Sequence, residues 1–233
     1  MPGASLVLAY GGDGTARAVA TVLAGTGVPL GLLPTGTGNL LARNLGVPRQ
    51  LDGAIEVALT GRGRTIDLGQ VGEDSFAVMA GVGLDTDLMA GPPPELKKRL
   101  GWAAHVLASL RHLRDRPVLL ALRIDGGPWE VVRVRCVLVG VVGRLQGGLP
   151  LLPAAHPADG LLDVAVLAPR GLADWSRVAV RVLRGSNRDD DRLRRGQART
   201  VDVLLADARP YELDGDLRNP TRAPYTSAST LGR

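Results

Sequence analysis

The stretch Tyr10-Gly11-Gly12-Asp13-Gly14-Thr15 constrains the fold more than any other part of the chain. Three glycines within four residues allow backbone angles closed to other residues and let main-chain N–H groups approach an anion without Cβ atoms in the way. Before it lies an apolar run, Ser5 to Ala9, and after it an Ala/Val-rich stretch, Thr15 to Leu23, that places Val19, Val22 and Leu23 on one helical face. A strand, a glycine turn and a helix are therefore expected, and the helix N-terminus would add its dipole to a phosphate cradle. Asp13 is the discordant member. A carboxylate repels phosphate unless a cation lies between them, so its position implies Mg²⁺ or a proton to be moved. A plain strand-to-helix turn with Asp13 as N-cap is the alternative.

The pattern recurs at once. Val28 to Leu33 reads as a second buried strand, Pro34-Thr35-Gly36-Thr37-Gly38-Asn39 as a second small-residue turn, and Leu40 to Leu45 as a short helix ending at Gly46. In an open parallel sheet both turns lie at the carboxyl edge, where ligands bind, so Asp13 and Thr37 are expected to face one phosphate group. A further helix, Leu51 to Leu59, stops at Gly61. After about Thr65 the texture changes to short alternating or β-branched runs, expected as antiparallel strands: Thr65 to Val71, Ser75 to Val82, Val118 to Ile124, Trp129 to Val142, Leu161 to Leu167 and Thr200 to Leu205. Asp125-Gly126-Gly127 signals a hairpin, and the run from Trp129 to Val142 is long enough to bend or to serve two sheets. Helices are expected at about Glu95 to Leu113, flanked by prolines, and at about Leu172 to Leu183. Ser186 to Arg199, with three aspartates among arginines, reads as a solvated loop, and Leu217 to Arg233 as an irregular tail.

Two more acidic spots carry chemical potential. His156-Pro157-Ala158-Asp159-Gly160-Leu161-Leu162-Asp163 sets two carboxylates among turn residues, and Glu212-Leu213-Asp214-Gly215-Asp216 packs three acids around one glycine. Each is either an ordinary turn or a source of a Mg²⁺ ligand or general base. Spacing alone does not bring them to Asp13. The net charge of +5 suits nucleotide or anionic lipid, while one Phe, three Tyr and three Trp leave little surface for stacking bases. A nucleic-acid partner is not expected. Cys136 is the single cysteine and lies in an apolar β-like run, so a buried thiol in a cytoplasmic protein is expected. No apolar run approaches the ~18 residues that span a bilayer, and Met1 to Ala9 lacks the basic region and length of a signal peptide, so any membrane contact would be peripheral.

In order along the chain, these pieces resemble the diacylglycerol kinase catalytic domain family, lipid kinases related more remotely to sphingosine kinases. The residues that carry the resemblance are Gly11-Gly12-Asp13-Gly14-Thr15, Pro34-Thr35-Gly36-Thr37-Gly38-Asn39, Ile66-Asp67-Leu68-Gly69, Gly81-Val82-Gly83-Leu84-Asp85, Asp159-Gly160-Leu161-Leu162-Asp163 and Asp214-Gly215-Asp216. No Gly-x-x-x-x-Gly-Lys-Ser/Thr sequence is present, and Arg17 stands where a dinucleotide fingerprint needs its third glycine.

The resemblance implies an α/β plus all-β chain: a partial α/β nucleotide domain of the NAD kinase/diacylglycerol kinase type (1–62), a β-sandwich lipid domain (63–216) and the irregular tail (217–233). It implies ATP at Gly11, Gly12, Asp13, Gly14, Thr15, Ala16, Arg17, Thr37 and Asn39, with Asp13 also placed at the γ-phosphate. It implies Mg²⁺ held by Asp159 and the backbone carbonyls of His156 and Leu161. Asp216 falls where the family usually has a glutamate that accepts the proton of the lipid hydroxyl, and Asp214 precedes it in the same turn. The implied partners are ATP and a membrane lipid, diacylglycerol foremost, met at the membrane surface; a homodimer is open to such a chain. The family's nucleotide domain normally starts several tens of residues before the GGDGT strand, so part of the ATP site is expected to be missing, and Leu40 stands where many relatives have Asp. Two other readings remain: an inactive lipid-binding remnant of the same fold, and an NAD kinase, which shares the GGDG turn.

Overall fold

A computed structural model of the chain describes residues 3–83, 117–207 and 209–219, together with the backbone of the strand Tyr225–Leu231. The expected helix at Glu95 to Leu113 lies outside the described residues. The chain opens with β1 (Val7–Gly11), α1 (Asp13–Leu23), β2 (Leu30–Pro34), α2 (Leu40–Asn44) and α3 (Leu51–Thr60). β1 and β2 pair in parallel, with Val7 opposite Leu30 and Gly11 opposite Pro34, so the two small-residue turns leave the same edge side by side. Gly31 makes room for packing on this ribbon: a Cβ there would lie 2.6 Å from Leu8 and 2.8 Å from Ala58 of α3.

Among the described residues the remaining strands are β3 (Leu68–Val71), β4 (Asp74–Phe76), β5 (Met79–Val82), β6 (Val118–Ile124), β7 (Glu130–Val134), β8 (Cys136–Gly140), β9 (Leu162–Leu167), β10 (Leu193–Ala198), β11 (Thr200–Leu205), β12 (Tyr211–Leu213), β13 (Asp216–Arg218) and β14 (Tyr225–Leu231), with a further helix, α4 (Leu172–Leu183). They form two six-stranded antiparallel sheets, in the order β10-β9-β8-β5-β12-β13 and β4-β3-β14-β11-β6-β7. Side-chain alternation divides the apolar residues between two cores. Val137, Val139, Val164 and Val166 of the first sheet meet Val118, Leu120, Val201 and Val203 of the second, which makes a sandwich. Cys136, Leu138, Ala165 and Leu167 point the other way and join Val178 and Val182 of α4 with Ala16, Ala20, Leu32 and Leu41 of the first five elements. Burial on both faces explains why β8 reads as an unbroken apolar run and why β9 is apolar but for the buried Asp163.

Two expected runs are split where the chain changes sheet. The run Trp129 to Val142 serves both sheets, β7 in one and β8 in the other, with Arg135 at the break. Ser75 to Val82, expected as one strand, is likewise β4 in one sheet and β5 in the other.

Two expectations are corrected. Ser186 to Arg199 is not a solvated loop, because Leu193–Ala198 forms β10 along β9. Its sequence hides the strand, since only Leu193 and Ala198 at its ends are buried while the residues between them are polar or glycine. Asp190 in the same stretch accepts from Arg181 of α4 at 2.7 Å, and that hydrogen bond, the largest cause, holds its carboxyl well below the usual range. Nor is the chain end irregular throughout: Tyr225–Leu231 is an interior strand, β14, between β3 and β11. Its Ser/Thr composition resembles a solvated tail, and the two neighbouring ladders that hold it are remote in sequence.

Candidate active site

The glycine turn is shaped by backbone meeting backbone. Gly12 is the N-cap of α1, with Asp13 in the first turn, and the first helical bond runs from Ala16 N–H to the Gly12 carbonyl at 3.0 Å. The N–H groups ahead of that bond have no intrahelical acceptor, the arrangement that suits an anion. Thr35 N–H bonds the Gly11 carbonyl at 3.0 Å, and a Cβ on Gly36 would lie 2.6 Å from the Gly12 Cα. The two turns thus touch glycine on glycine. Gly14, Thr15 and Thr37 are exposed, while Ala16 is buried in the core.

Asp13 and Asn39 build the second turn from inside. Asp13 Oδ1 accepts the Leu41 N–H at 3.0 Å, so this carboxylate caps α2 rather than its own helix. A Cβ on Gly38 would lie 2.9 Å from the other oxygen, Oδ2. Asn39 is buried, adopts a left-handed φ of 49°, and closes a ring with Gly36, accepting its N–H at 3.0 Å and donating to its carbonyl at 2.6 Å. Its side chain therefore shapes the turn.

The hairpin β12–β13 brings the second acidic spot to this place. Asp214 (φ 52°) and Gly215 (φ 93°) form its two-residue turn, both in the positive region that such a turn requires. Asp216 comes to Gly14: its Oδ2 lies 3.7 Å from the position of a Cβ on that glycine. Arg17 of α1 reaches over to the same hairpin, donating from Nη1 to the Leu213 carbonyl at 2.6 Å and from Nη2 to Asp216 Oδ2 at 2.5 Å. Asp214 is occupied otherwise. Its carboxylate accepts the N–H groups of Ala77, Val78 and Met79 at 2.8–2.9 Å, where the chain crosses between sheets. Burial pushes its carboxyl upward, against those three bonds and the charge of Arg17.

Two residues of the region lie outside the expected site residues. Glu212 is buried with Oε2 unpartnered and Oε1 accepting the Gly215 N–H. Burial above all, and the charges of Asp214 and Asp216, raise its carboxyl to about 7, against that one hydrogen bond. Gln146 lies at a glycine-bearing 3₁₀ turn whose base is tied to α2 by a reciprocal pair: Asn44 donates to the Arg144 carbonyl at 2.9 Å and accepts its N–H at 3.0 Å. Its Nε2 lies 3.6 Å from a Cβ position on Gly38, beside the second turn. A Gly-Gly pair after Gln146 was the only local hint.

His156, Asp159 and Leu161 lie on a separate turn leading into β9, held by partners of its own. Asp67 donates its N–H to the Pro157 carbonyl and accepts from Gly160 N–H, both at 2.7 Å. Asp159 is exposed, with Oδ1 accepting Leu161 N–H at 3.0 Å and Oδ2 3.4 Å from Gln197 Nε2. The buried Asp163 is raised to about 6, by burial first and by the charge of Asp159, against a bond from Gln197. Among the described residues no three His, Cys, Asp or Glu side chains converge to hold a metal. Cys136 is fully buried and its thiol is pushed up to about 12 by that burial, which keeps it from acting as a nucleophile.

Residues 2–71 match the model of the diacylglycerol kinase catalytic domain, and residues 77–228 that of the YegS C-terminal NAD kinase beta sandwich-like domain. A diacylglycerol kinase of Bacillus subtilis is 34% identical over 215 residues, covering 91% of this chain and 71% of its own length. One of Mycobacterium tuberculosis is 31% identical over 232 residues, covering 97% and 74%. The crystal structure of a diacylglycerol kinase from Bacillus anthracis superposes with a TM-score of 0.75 at 22% identity, over 97% of this chain and 75% of that one, which shows the shared fold.

Proposed function

The chain belongs to the diacylglycerol kinase family of lipid kinases, and on that premise we propose that it transfers the γ-phosphoryl group of ATP to the free hydroxyl of diacylglycerol, giving phosphatidic acid. One observation supports the reading above the others: an acid from the sandwich, Asp216, stands over the glycine turn at Gly14. Phosphoryl transfer needs phosphates held in line, charge neutralised and an acceptor hydroxyl beside a carboxylate, with no covalent work for the protein. The turn from Gly11 to Thr15, with Thr37, binds the phosphates through backbone N–H groups and the N-terminus of α1. Asp216 takes the proton of the acceptor hydroxyl, whose oxygen attacks the γ-phosphorus as the bond to the bridging oxygen breaks and ADP leaves. Asp13 fixes the second turn, with one oxygen on the Leu41 N–H and the other beside Gly38.

Magnesium fits the donors at the other turn. The exposed Asp159 carboxylate and the carbonyls of His156 and Leu161 are the hard oxygens it takes, completed by water. Bound there, it would neutralise the Asp159 carboxylate and brace the turn that leads into β9. No helix among the described residues is long and apolar enough to cross a membrane. A diacylglycerol substrate is met at the membrane surface, and peripheral contact there is part of the proposal.

The test is phosphate incorporation from labelled ATP into mixed micelles carrying diacylglycerol, a sphingoid base, ceramide and phosphatidylglycerol, with NAD offered separately. Label in diacylglycerol is expected. Label in another lipid would reassign the substrate, label in NAD would replace the reading, and label in none would overturn it.

A further inference from the structure

We propose that Arg17 is a positioning residue acting through Asp216, and that its guanidinium serves the hairpin rather than the nucleotide. The inference rests on the reading of Asp216 as the acceptor's base. Arg17 lies in the second turn of α1 with its side chain 11% exposed, and both terminal nitrogens are committed across the cleft. Nη1 meets the Leu213 carbonyl on one side of the Asp214-Gly215 turn, and Nη2 meets Asp216 on the other. Two donors of one rigid planar fork fix both the distance and the tilt of the hairpin against α1.

Asp216 needs such a hold. It begins β13, a three-residue strand at the end of its sheet, paired with β12 alone, and its side chain is 52% exposed. Arg17 grips Oδ2, the oxygen nearest Gly14, which leaves Oδ1 for the acceptor hydroxyl. Charge agrees with the geometry. A buried guanidinium requires a counter-charge, and the hairpin offers Asp216 in contact and Asp214 nearby, whose ionised form Arg17 favours. Since α1 also carries the phosphate-binding turn at its start, one side chain sets the separation between the phosphate cradle and the base. A polyphosphate would have to pull Arg17 from both hairpin acceptors to bind it.

The test compares the wild-type chain with Arg17→Met, Arg17→Lys, Asp216→Asn and the double variant Arg17→Met/Asp216→Asn, in the micelle assay and by amide hydrogen exchange across residues 211–218. Arg17→Met is expected to lower kcat by about 10-fold or more with KM for ATP changed by less than about 2-fold, and to add nothing to Asp216→Asn. Arg17→Lys, which keeps the charge but not the fork, is expected to recover part of kcat. Exchange in 211–218 is expected to quicken in Arg17→Met. A rise in KM for ATP at unchanged kcat would make Arg17 a nucleotide ligand, and losses that multiply in the double variant would make it act independently of Asp216; either result overturns the proposal. Should the wild-type chain phosphorylate no lipid, the kinase reading fails by itself. Exchange then still decides on Arg17, and rates unchanged from wild type would sink its positioning role.

Discussion

Glu212 carries a carboxyl raised to about 7 from an ordinary 4.5, chiefly because burial disfavours its charged form. The native state therefore holds a proton that the unfolded chain releases once the pH passes about 4.5. Stability from this group is full below that pH, falls as pH rises toward 7, and levels off above it. Asp163, raised to about 6, acts in the same direction over a lower window. The acids held low by arginine partners, Asp174 and Asp190, lose their contribution only in more acidic solution, so pH 5 to 8 leaves the slope to the raised carboxyls, with Asp214, also raised by burial, acting in the same direction. A shift of this size corresponds to at most about 3 kcal/mol. Glu212→Gln should thus gain on the order of 1–2 kcal/mol at pH 8 relative to wild type and little at pH 5, as read from urea unfolding at the two pH values. An equal gain at both would detach the effect from protonation. The three acids from Glu212 to Asp216 stood out in the sequence, but not their different fates. Strand alternation sends Glu212 into a dry site, the turn folds Asp214 onto backbone amides, and Asp216 is left at the cleft.

At the scale of elements, the sheet crossing between β4 and β5 depends on one carboxylate. The N–H groups of Ala77, Val78 and Met79 all find their acceptor in Asp214. A buried donor left without a partner costs about 1–3 kcal/mol, so Asp214→Ala should destabilise the chain by on the order of 3–5 kcal/mol. Urea unfolding measures it, and a loss below about 1 kcal/mol would show that water or another group replaces the carboxylate. The parallel β1–α1–β2 unit was legible because glycine turns and apolar periodicity are local signals. The crossings were less so. Ala77 and Val78 look like any strand residues, and the change of sheet is set by what lies on either side, including an acid 137 positions away.

For the whole molecule, β14 decides whether the second sheet exists as one body. It lies between β3 and β11, so without it the sheet divides into β4-β3 and β11-β6-β7, each with a newly exposed edge. A chain stopped after Asn219 is therefore expected to lose its cooperative thermal transition, followed by circular dichroism; an unchanged midpoint would mean the sandwich stands without this strand. By itself the sequence determined the family, the fold class and the glycine turn. These rest on short ordered motifs and on periodicity, which neighbours along the chain already specify. Only the tertiary structure decided that Asp13 caps α2, that a polar Ser/Thr segment closes a sheet, and that Arg17 meets Asp216 across 199 positions. Each of those contacts joins groups distant in sequence, and which partner a polar group finds depends on burial and direction that emerge when the sheets and helices pack.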